Sequence, residues 1–294
     1  MAKELNFKQE LTAAFGQPIS ENPTQVMIEA AYRHHGLDWR YLTIEVAANG
    51  LGDAVQGARA MGFLGFNCTI PHKIAVIKHL DGLGESAELM QAVNCVVRRG
   101  DQLIGENTDG KGFVKAVRAL RDPSGSRVVI FGAGGAARAI SVEMALAGAS
   151  HITIVNRSPK RGDELLELLQ TKVTQRTDGK LQSKLARWDQ TFSIPDNTDI
   201  VVNATSIGLY PDLDARLNLD VKSLLPSMLI ADVIPNPPRT NLIQDAEQRG
   251  CTVIDGLEML VNQGVIGIEY WAGITPDPSV MRAALEEVFR ESDS

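Results

Sequence analysis

No stretch of this 294-residue chain is apolar for long enough to cross a bilayer. Residues 1–8 scatter charges among apolar positions and lack the apolar block of a leader peptide. Together these absences predict a cytoplasmic protein with no membrane partner. Positive charge is not in excess either. The net charge of -7 argues against a broad basic face for nucleic acid. Cysteine is scarce: Cys68, Cys95 and Cys251 are far apart and odd in number, so they form no zinc or redox pair and suit a reducing compartment. His34, His35, His72, His79 and His151 show no metal-ligand spacing, and His34 and His35, being adjacent, should leave a helix on different faces. No metal is expected. Low-complexity segments and short repeats are missing as well. What remains is 44% hydrophobic and 22% charged, an ordinary globular composition with chain enough for two domains or one large one.

The most organised stretch is Val128-Val129-Ile130-Phe131-Gly132-Ala133-Gly134-Gly135-Ala136-Ala137. Its apolar, largely β-branched start reads as a buried parallel strand. Residues 136–147 follow as strong helix formers, closed by Gly148. Strand, glycine turn and helix form the context in which G-x-G-x-x-[GA] signals a dinucleotide. Gly132 permits the tight turn, Gly134 lets a pyrophosphate reach the backbone, and Ala137 lets the helix pack on the strand. The N–H groups and dipole of the helix start would then hold the phosphates. The alternative is a plain core turn.

Around this unit the chain alternates strands and helices. Residues 11–16, 39–46, 63–70 and 95–105 read as strands, the last a hairpin turning at Gly100-Asp101, and residues 25–35, 54–61 and 71–77 read as helices. Beyond a helix over residues 110–120, strands are expected at 128–131, 151–155, 199–204, 228–234 and 251–254. A helix is expected through 164–169, and residues 170–185 are polar and weakly patterned. Two helices close the chain, at 258–273 and 279–290. This alternation predicts an α/β protein: an N-terminal α/β domain and a Rossmann-type doubly wound domain.

In such a domain the tip of the second strand chooses the cofactor. Here it reads Ile154-Val155-Asn156-Arg157-Ser158-Pro159-Lys160-Arg161, with cations and no carboxylate. A guanidinium pairs with a 2′-phosphate, whereas a carboxylate repels it. The reading is NADP, with NAD possible; a solvated basic turn is the alternative. Two further clusters put polar groups at the ends of apolar strands: Asn67-Cys68-Thr69-Ile70-Pro71-His72-Lys73, and Asn94 with Asn107-Thr108-Asp109-Gly110. A lysine and an aspartate reaching one cleft would make an acid–base pair. Taken singly, Lys73 reads equally as a surface lysine and Asp109 as a helix cap.

These residues carry a resemblance that runs almost end to end. The chain resembles the shikimate dehydrogenase family, which includes quinate/shikimate dehydrogenases. The matching pieces are Gly65-Phe66-Asn67-Cys68-Thr69-Ile70-Pro71-His72-Lys73, Ala92-Val93-Asn94, Asn107-Thr108-Asp109-Gly110, the glycine turn, Asn156-Arg157-Ser158, Asn203-Ala204-Thr205-Ser206-Ile207-Gly208 and Asp255-Gly256-Leu257-Glu258-Met259-Leu260-Val261-Asn262-Gln263. The resemblance implies a substrate domain over residues 1–109, an NADP domain over 110–255 and C-terminal helices over 256–294 that return to the first, with the active site in the cleft between domains. It implies Lys73 and Asp109 as the catalytic pair, with Asn22, Thr24, Thr69, Asn94 and Gln263 on a polyhydroxy ring carboxylate. Gly132, Ala133, Gly134, Gly135, Ala136, Asn156, Arg157, Ser158 and Arg161 would bind NADP, with Thr205, Val233 and Gly256 on the nicotinamide side. The implied reaction is reversible hydride transfer between shikimate and 3-dehydroshikimate, or a close analogue, by a monomer or homodimer.

The family usually grips the substrate carboxylate with a Ser-x-Ser-Pro segment. Here Asn22 and Thr24 stand where the serines would, Gln25 replaces the proline, and Glu21 adds a negative charge. In Asp232-Val233-Ile234-Pro235-Asn236-Pro237, Pro235 takes the place of a usual tyrosine. These departures leave open a shifted substrate, such as quinate or another ring acid, and a nucleotide-binding regulatory protein without efficient turnover. A dehydrogenase for a folate or other acyclic substrate is a further alternative, one that would not need Asn94 and Gln263.

Overall fold

The computed structural model describes residues 7–292; residues 1–6, on which most of the leader reading rests, lie outside the described residues. The chain divides into two compact units. The first holds residues up to Thr108 and those from Gly264 onward, the second Asp109–Gln263.

The first unit runs β1 (Glu10–Gly16), α1 (Thr24–His34), β2 (Trp39–Glu45), α2 (Leu51–Ala60), β3 (Gly65–Cys68), α3 (His72–Ala75), β4 (Gly82–Leu83), α4 (Glu85–Met90), β5 (Cys95–Arg99) and β6 (Gln102–Glu106). Its sheet has the order β2-β1-β3-β5-β6-β4. β1 pairs in parallel with β2 and β3, whereas β5 runs antiparallel to both β3 and β6. β1 lies between two neighbours, which explains why its residues from Leu11 to Phe15 are apolar but for Thr12. Ala13, Ala14 and Phe15 are buried there, and the Phe15 ring stacks on Phe66 at 4.6 Å between centroids. The strand expected over residues 63–70 is confined to β3, because Thr69 and Ile70 already turn towards α3. β4 and α4 were not legible in the pattern: one is two residues long, the other six.

α5 (Thr108–Arg118) opens the second unit. Then follow β7 (Arg127–Phe131), α6 (Gly135–Leu146), β8 (His151–Asn156), α7 (Pro159–Leu168), α8 (Thr174–Arg176), β9 (Gln182–Arg187), β10 (Ile200–Asn203), β11 (Leu229–Asp232), α9 (Asn241–Gln248) and β12 (Thr252–Ile254). α10 (Gly256–Ala272) and α11 (Pro278–Ser292) end the chain. The sheet order is β12-β11-β10-β7-β8-β9, with every pairing parallel. This is the doubly wound sheet expected. Sequence order reverses at β7, so the switch point lies between β7 and β10. Phe131 fills the core with Trp188 and Phe192, whose rings stand 5.1 and 5.6 Å away. Within the first unit α11 packs on α1, and a Cβ on Gly264 would come 2.7 Å from Met27 Cε.

Candidate active-site residues

In the first unit the chemistry collects at one edge of the sheet. β1 and β3 end there, and the antiparallel β5 begins there. A Cβ on Gly16 would lie 2.3 Å from Thr69 Cγ2, so the missing side chain lets the two strand ends close up. Half-buried Thr69 donates its N–H to Phe15 O at 3.0 Å. Buried Asn94 stands beside it, its carbonyl accepting from Cys68 N and from Asn67 Nδ2, both at 2.9 Å. The Asn94 side chain holds Thr108, in the same unit: Oδ1 accepts Thr108 N at 2.6 Å and Nδ2 donates to Thr108 Oγ1 at 3.0 Å. Tyr41, wholly buried, donates to Asn67 Oδ1 at 2.6 Å. Thus Tyr41, Asn67, Asn94 and Thr108 form one polar chain, of which only Tyr41 had no sequence signal beyond a place in a strand. Burial drives the Tyr41 phenol well above its ordinary range, so it keeps the proton that it donates to Asn67.

Lys73 lies half-buried on α3, and its carbonyl accepts Val93 N at 2.8 Å, so Lys73 is tied to the stretch that carries Asn94. His72, buried, bonds through Nε2 to Val46 O at 2.7 Å and fixes α3 from beneath. Burial raises the Cys68 thiol to about 12, with Lys73 opposing the shift. Asn22 is half-buried and turns Oδ1 onto Thr24 N at 2.9 Å, and Thr24 is buried at the start of α1. An open hollow of about 410 Å³ is lined by Asn22, Gln25, Glu29 and Arg33 but not by Thr69, Lys73 or Asn94.

In the second unit Asp109, half-buried, stands in the first turn of α5. A Cβ on Gly110 would meet Ala139 O at 2.3 Å, and one on Gly112 would meet Gln263 N at 2.6 Å. Glycine therefore brings α5 into backbone contact with α6 on one side and α10 on the other, close by Asp109 and buried Gln263.

The glycine turn follows β7 at the carboxyl edge of the sheet. Gly132 has φ +107°, a left-handed conformation that favours glycine. A Cβ on Gly134 or Gly135 would meet nothing within 4 Å, so the backbone there is open to a ligand. Ala133 and Ala136 are half-buried beside them. No side chain caps α6, and its first N–H groups are left for an anion. Asn156, at the end of β8, donates Nδ2 to Ser158 O at 2.7 Å. Exposed Arg157 lies over the Trp188 ring at 5.9 Å, a platform the sequence did not reveal. Arg161 is exposed on α7, whose first residue is Pro159. Thr205, Val233 and Gly256 follow β10, β11 and β12 at the same edge. A Cβ on Gly256 would fall 1.9 Å from Ile234 O, so no other residue fits there. The geometry suits a dinucleotide diphosphate along this edge.

Among the described residues, no group of three His, Cys, Asp or Glu side chains could hold a metal, and no helix is long and apolar enough to cross a membrane. His34 and His35 do not diverge as expected: His35 leaves the helix at its end, and the two rings stand 5.0 Å apart.

Three family models match. They are the shikimate dehydrogenase substrate binding domain over residues 14–96, shikimate/quinate 5-dehydrogenase over 115–220, and the shikimate 5′-dehydrogenase C-terminal domain over 256–286. A shikimate dehydrogenase (NADP(+)) of Methanopyrus kandleri is 38% identical over 94% of each chain. The ligand-free 5-ketofructose reductase of Gluconobacter sp. strain CHM43 is 51% identical, with a TM-score of 0.92 over 97% of this chain and 100% of that one. The shikimate 5-dehydrogenase of Listeria monocytogenes, solved with shikimate and NAD, is 31% identical, with a TM-score of 0.87 over 97% and 99%.

Proposed function

Since this chain belongs to the shikimate dehydrogenase family, we propose that it is an NADP-dependent oxidoreductase that interconverts a ketone and a carbinol on a small polyhydroxylated substrate, in the manner of the shikimate dehydrogenases it resembles. The substrate class favoured is a neutral keto sugar of the 5-ketofructose kind. The observation that carries this choice is the 51% identity to a 5-ketofructose reductase, set beside the altered carboxylate grip at Asn22, Thr24 and Gln25. Asn22 spends Oδ1 on Thr24 N, and Thr24 is buried. A substrate without a carboxylate needs no anion pocket there. The second reading is shikimate or another ring acid such as quinate, supported by likeness to NADP-dependent shikimate dehydrogenases, one of them 38% identical, and by the retention of Thr69, Lys73, Asn94, Asp109 and Gln263.

When bound, NADP supplies or accepts the hydride. Lys73 gives a proton to the carbonyl oxygen in the reducing direction and takes it back in the oxidising one, and Asp109 is the second member of the acid–base pair that the family likeness implies. Thr69, Asn94 and Gln263 orient the substrate hydroxyls, a contribution of the positional kind. Arg157 and Arg161 pair with the 2′-phosphate, and the bare start of α6 takes the diphosphate. The Trp188 ring, under the Arg157 guanidinium at 5.9 Å, helps to place it. Thr205, Val233 and Gly256 face the nicotinamide half. Three buried thiols fit a reducing cytoplasm, and the working form is a monomer or homodimer.

The test follows nicotinamide absorbance with purified protein. NADPH with 5-ketofructose should turn over, with NADPH preferred to NADH, and NADP with shikimate or quinate should be slower by tenfold or more. Faster turnover on shikimate would install the second reading. Tight NADPH binding without turnover on any of these would leave the regulatory alternative standing.

A further inference from the structure

Asp232 ends β11 and is 1% exposed. An ionised carboxylate in such a place is costly unless well hydrogen-bonded. Its partners are all neutral. Oδ2 accepts from Asn203 Nδ2 at 3.0 Å and from Thr240 Oγ1 at 2.7 Å, and Oδ1 accepts from Ile234 N at 3.1 Å. Burial outweighs these bonds and lifts the carboxyl to about 6. The group therefore weakens the fold at neutral pH, and a carboxylate kept on such terms points to a task beyond packing.

What it does locally can be followed atom by atom. Asn203 ends β10 and is wholly buried. An amide can stand in either of two orientations, and only its N–H can face a carboxylate. Asp232 Oδ2 at 3.0 Å, with Ile207 O at 3.4 Å, takes the N–H side and so sets the orientation. Asn203 Oδ1 is turned the other way, where it accepts Thr205 N at 3.0 Å and Thr205 Oγ1 at 2.7 Å. With its hydrogen committed, the Thr205 hydroxyl accepts from Ile207 N at 3.1 Å. The segment runs close to the glycine turn: a Cβ on Gly132 would lie 2.6 Å from Ala204 O and 3.2 Å from the Thr205 methyl. One buried charge thus fixes the segment that meets the glycine turn.

The sheet tells which part of a dinucleotide this segment would meet. The diphosphate belongs at the turn after β7, and the adenosine ribose belongs at the tip of β8, the second strand of the unit. The remaining half must lie on the other side of the switch point, over β10 and β11. We infer that Asp232 is a positioning residue for the nicotinamide half of the cofactor, acting through Asn203 on Thr205. This rests on the NADP reading above and adds a residue to it.

The test measures binding of NADP and of adenosine 2′,5′-bisphosphate, which carries the adenosine end but no nicotinamide. Asp232→Asn keeps the size but has one acceptor oxygen where the carboxylate has two; with that oxygen kept on Ile234 N, Asn203 Nδ2 faces an N–H instead of an acceptor, and the hold on Thr205 is lost. NADP should bind tenfold or more weakly, while the fragment should change less than twofold. Thr205→Ala should reproduce that selective loss, Thr205→Ser should restore binding to within threefold, and the double variant Asp232→Asn/Thr205→Ala should be no worse than the weaker single one. Equal losses for NADP and fragment in Asp232→Asn would mean a merely structural role and overturn the proposal, as would losses that multiply in the double variant. If Asp232→Asn does not fold, Thr205→Ala decides: unchanged NADP binding overturns it. Wild-type protein that binds the fragment but shows no gain from the nicotinamide half overturns this proposal alone. Wild type that binds neither overturns it together with the cofactor reading.

Discussion

Asn22 and Asp232 show how single residues carry the account. Asn22 retains an amide where the family pattern has a hydroxyl, and Gln25 adds bulk and frees a backbone that proline would fix. If these positions choose between a neutral and an anionic substrate, Asn22→Ser, Thr24→Ser and Gln25→Pro together should raise kcat/KM for shikimate tenfold or more and lower it for 5-ketofructose. A site that discriminates through one or two hydrogen bonds can shift by such factors. Comparing kcat/KM for both substrates in the triple variant checks this; parallel changes would speak against it. Asp232 makes a separate prediction about pH. Its folded value of about 6 lies above the ordinary 3.8, so the folded state binds a proton that the unfolded chain has lost between those values. Its contribution to stability is therefore most favourable below pH 4 and declines as pH rises to about 6, by on the order of 3 kcal/mol. Urea unfolding at pH 4 and pH 7 should show that decline in wild type and a smaller one in Asp232→Asn. The sequence marked the first residue, because Asn22 departs from a known pattern. It was silent on the second: the partners Asn203 and Thr240 are 29 and 8 residues away, and an aspartate closing an apolar strand looks like an ordinary turn.

At the scale of elements, legibility followed periodicity and length. β1, β7, β8, β10 and β11 stood out because buried parallel strands read as apolar runs, and α6 because its residues favour helix wherever they stand. β9 did not. It is an edge strand, Gln182-Ser183-Lys184-Leu185-Ala186-Arg187, in which only Leu185 and Ala186 are apolar and no residue is fully buried, and a helical segment precedes it. Edge strands are often kept polar to discourage further pairing, and that erases the apolar signal. Short elements such as α4 and β4 are fixed by tertiary contacts more than by propensity. The glycines of α5 carry a third prediction. In an isolated helix Gly110→Ala would gain about 1 kcal/mol from propensity. Here the new Cβ would meet Ala139 O, a backbone atom, at 2.3 Å. Overpacking of this kind costs about 1–3 kcal/mol and should win. Gly110→Ala is expected to lower the urea midpoint; a higher midpoint would show that α5 and α6 can separate freely.

For the whole molecule, the doubly wound sheet was readable from strand–helix alternation alone, and the mixed sheet of the first unit was not. Its antiparallel hairpin of β5 and β6 looks the same in sequence whether it joins β3 or stands apart; only the register of Asn67 on Cys95 decides. The division of labour between the units gives a fourth prediction. The proposed proton-transfer lysine belongs to the first unit, and the dinucleotide features belong to the second. Lys73→Ala should therefore leave the dissociation constant for NADPH within threefold of wild type. The most direct test of the central claim joins that variant to the favoured reaction: kcat/KM for 5-ketofructose with NADPH, in wild type and Lys73→Ala side by side. The account predicts ready turnover in wild type and a loss of about 10²- to 10⁴-fold in the variant, the span of a positioned acid–base group. Equal rates in the two proteins, or no reduction of 5-ketofructose by wild type, would contradict it.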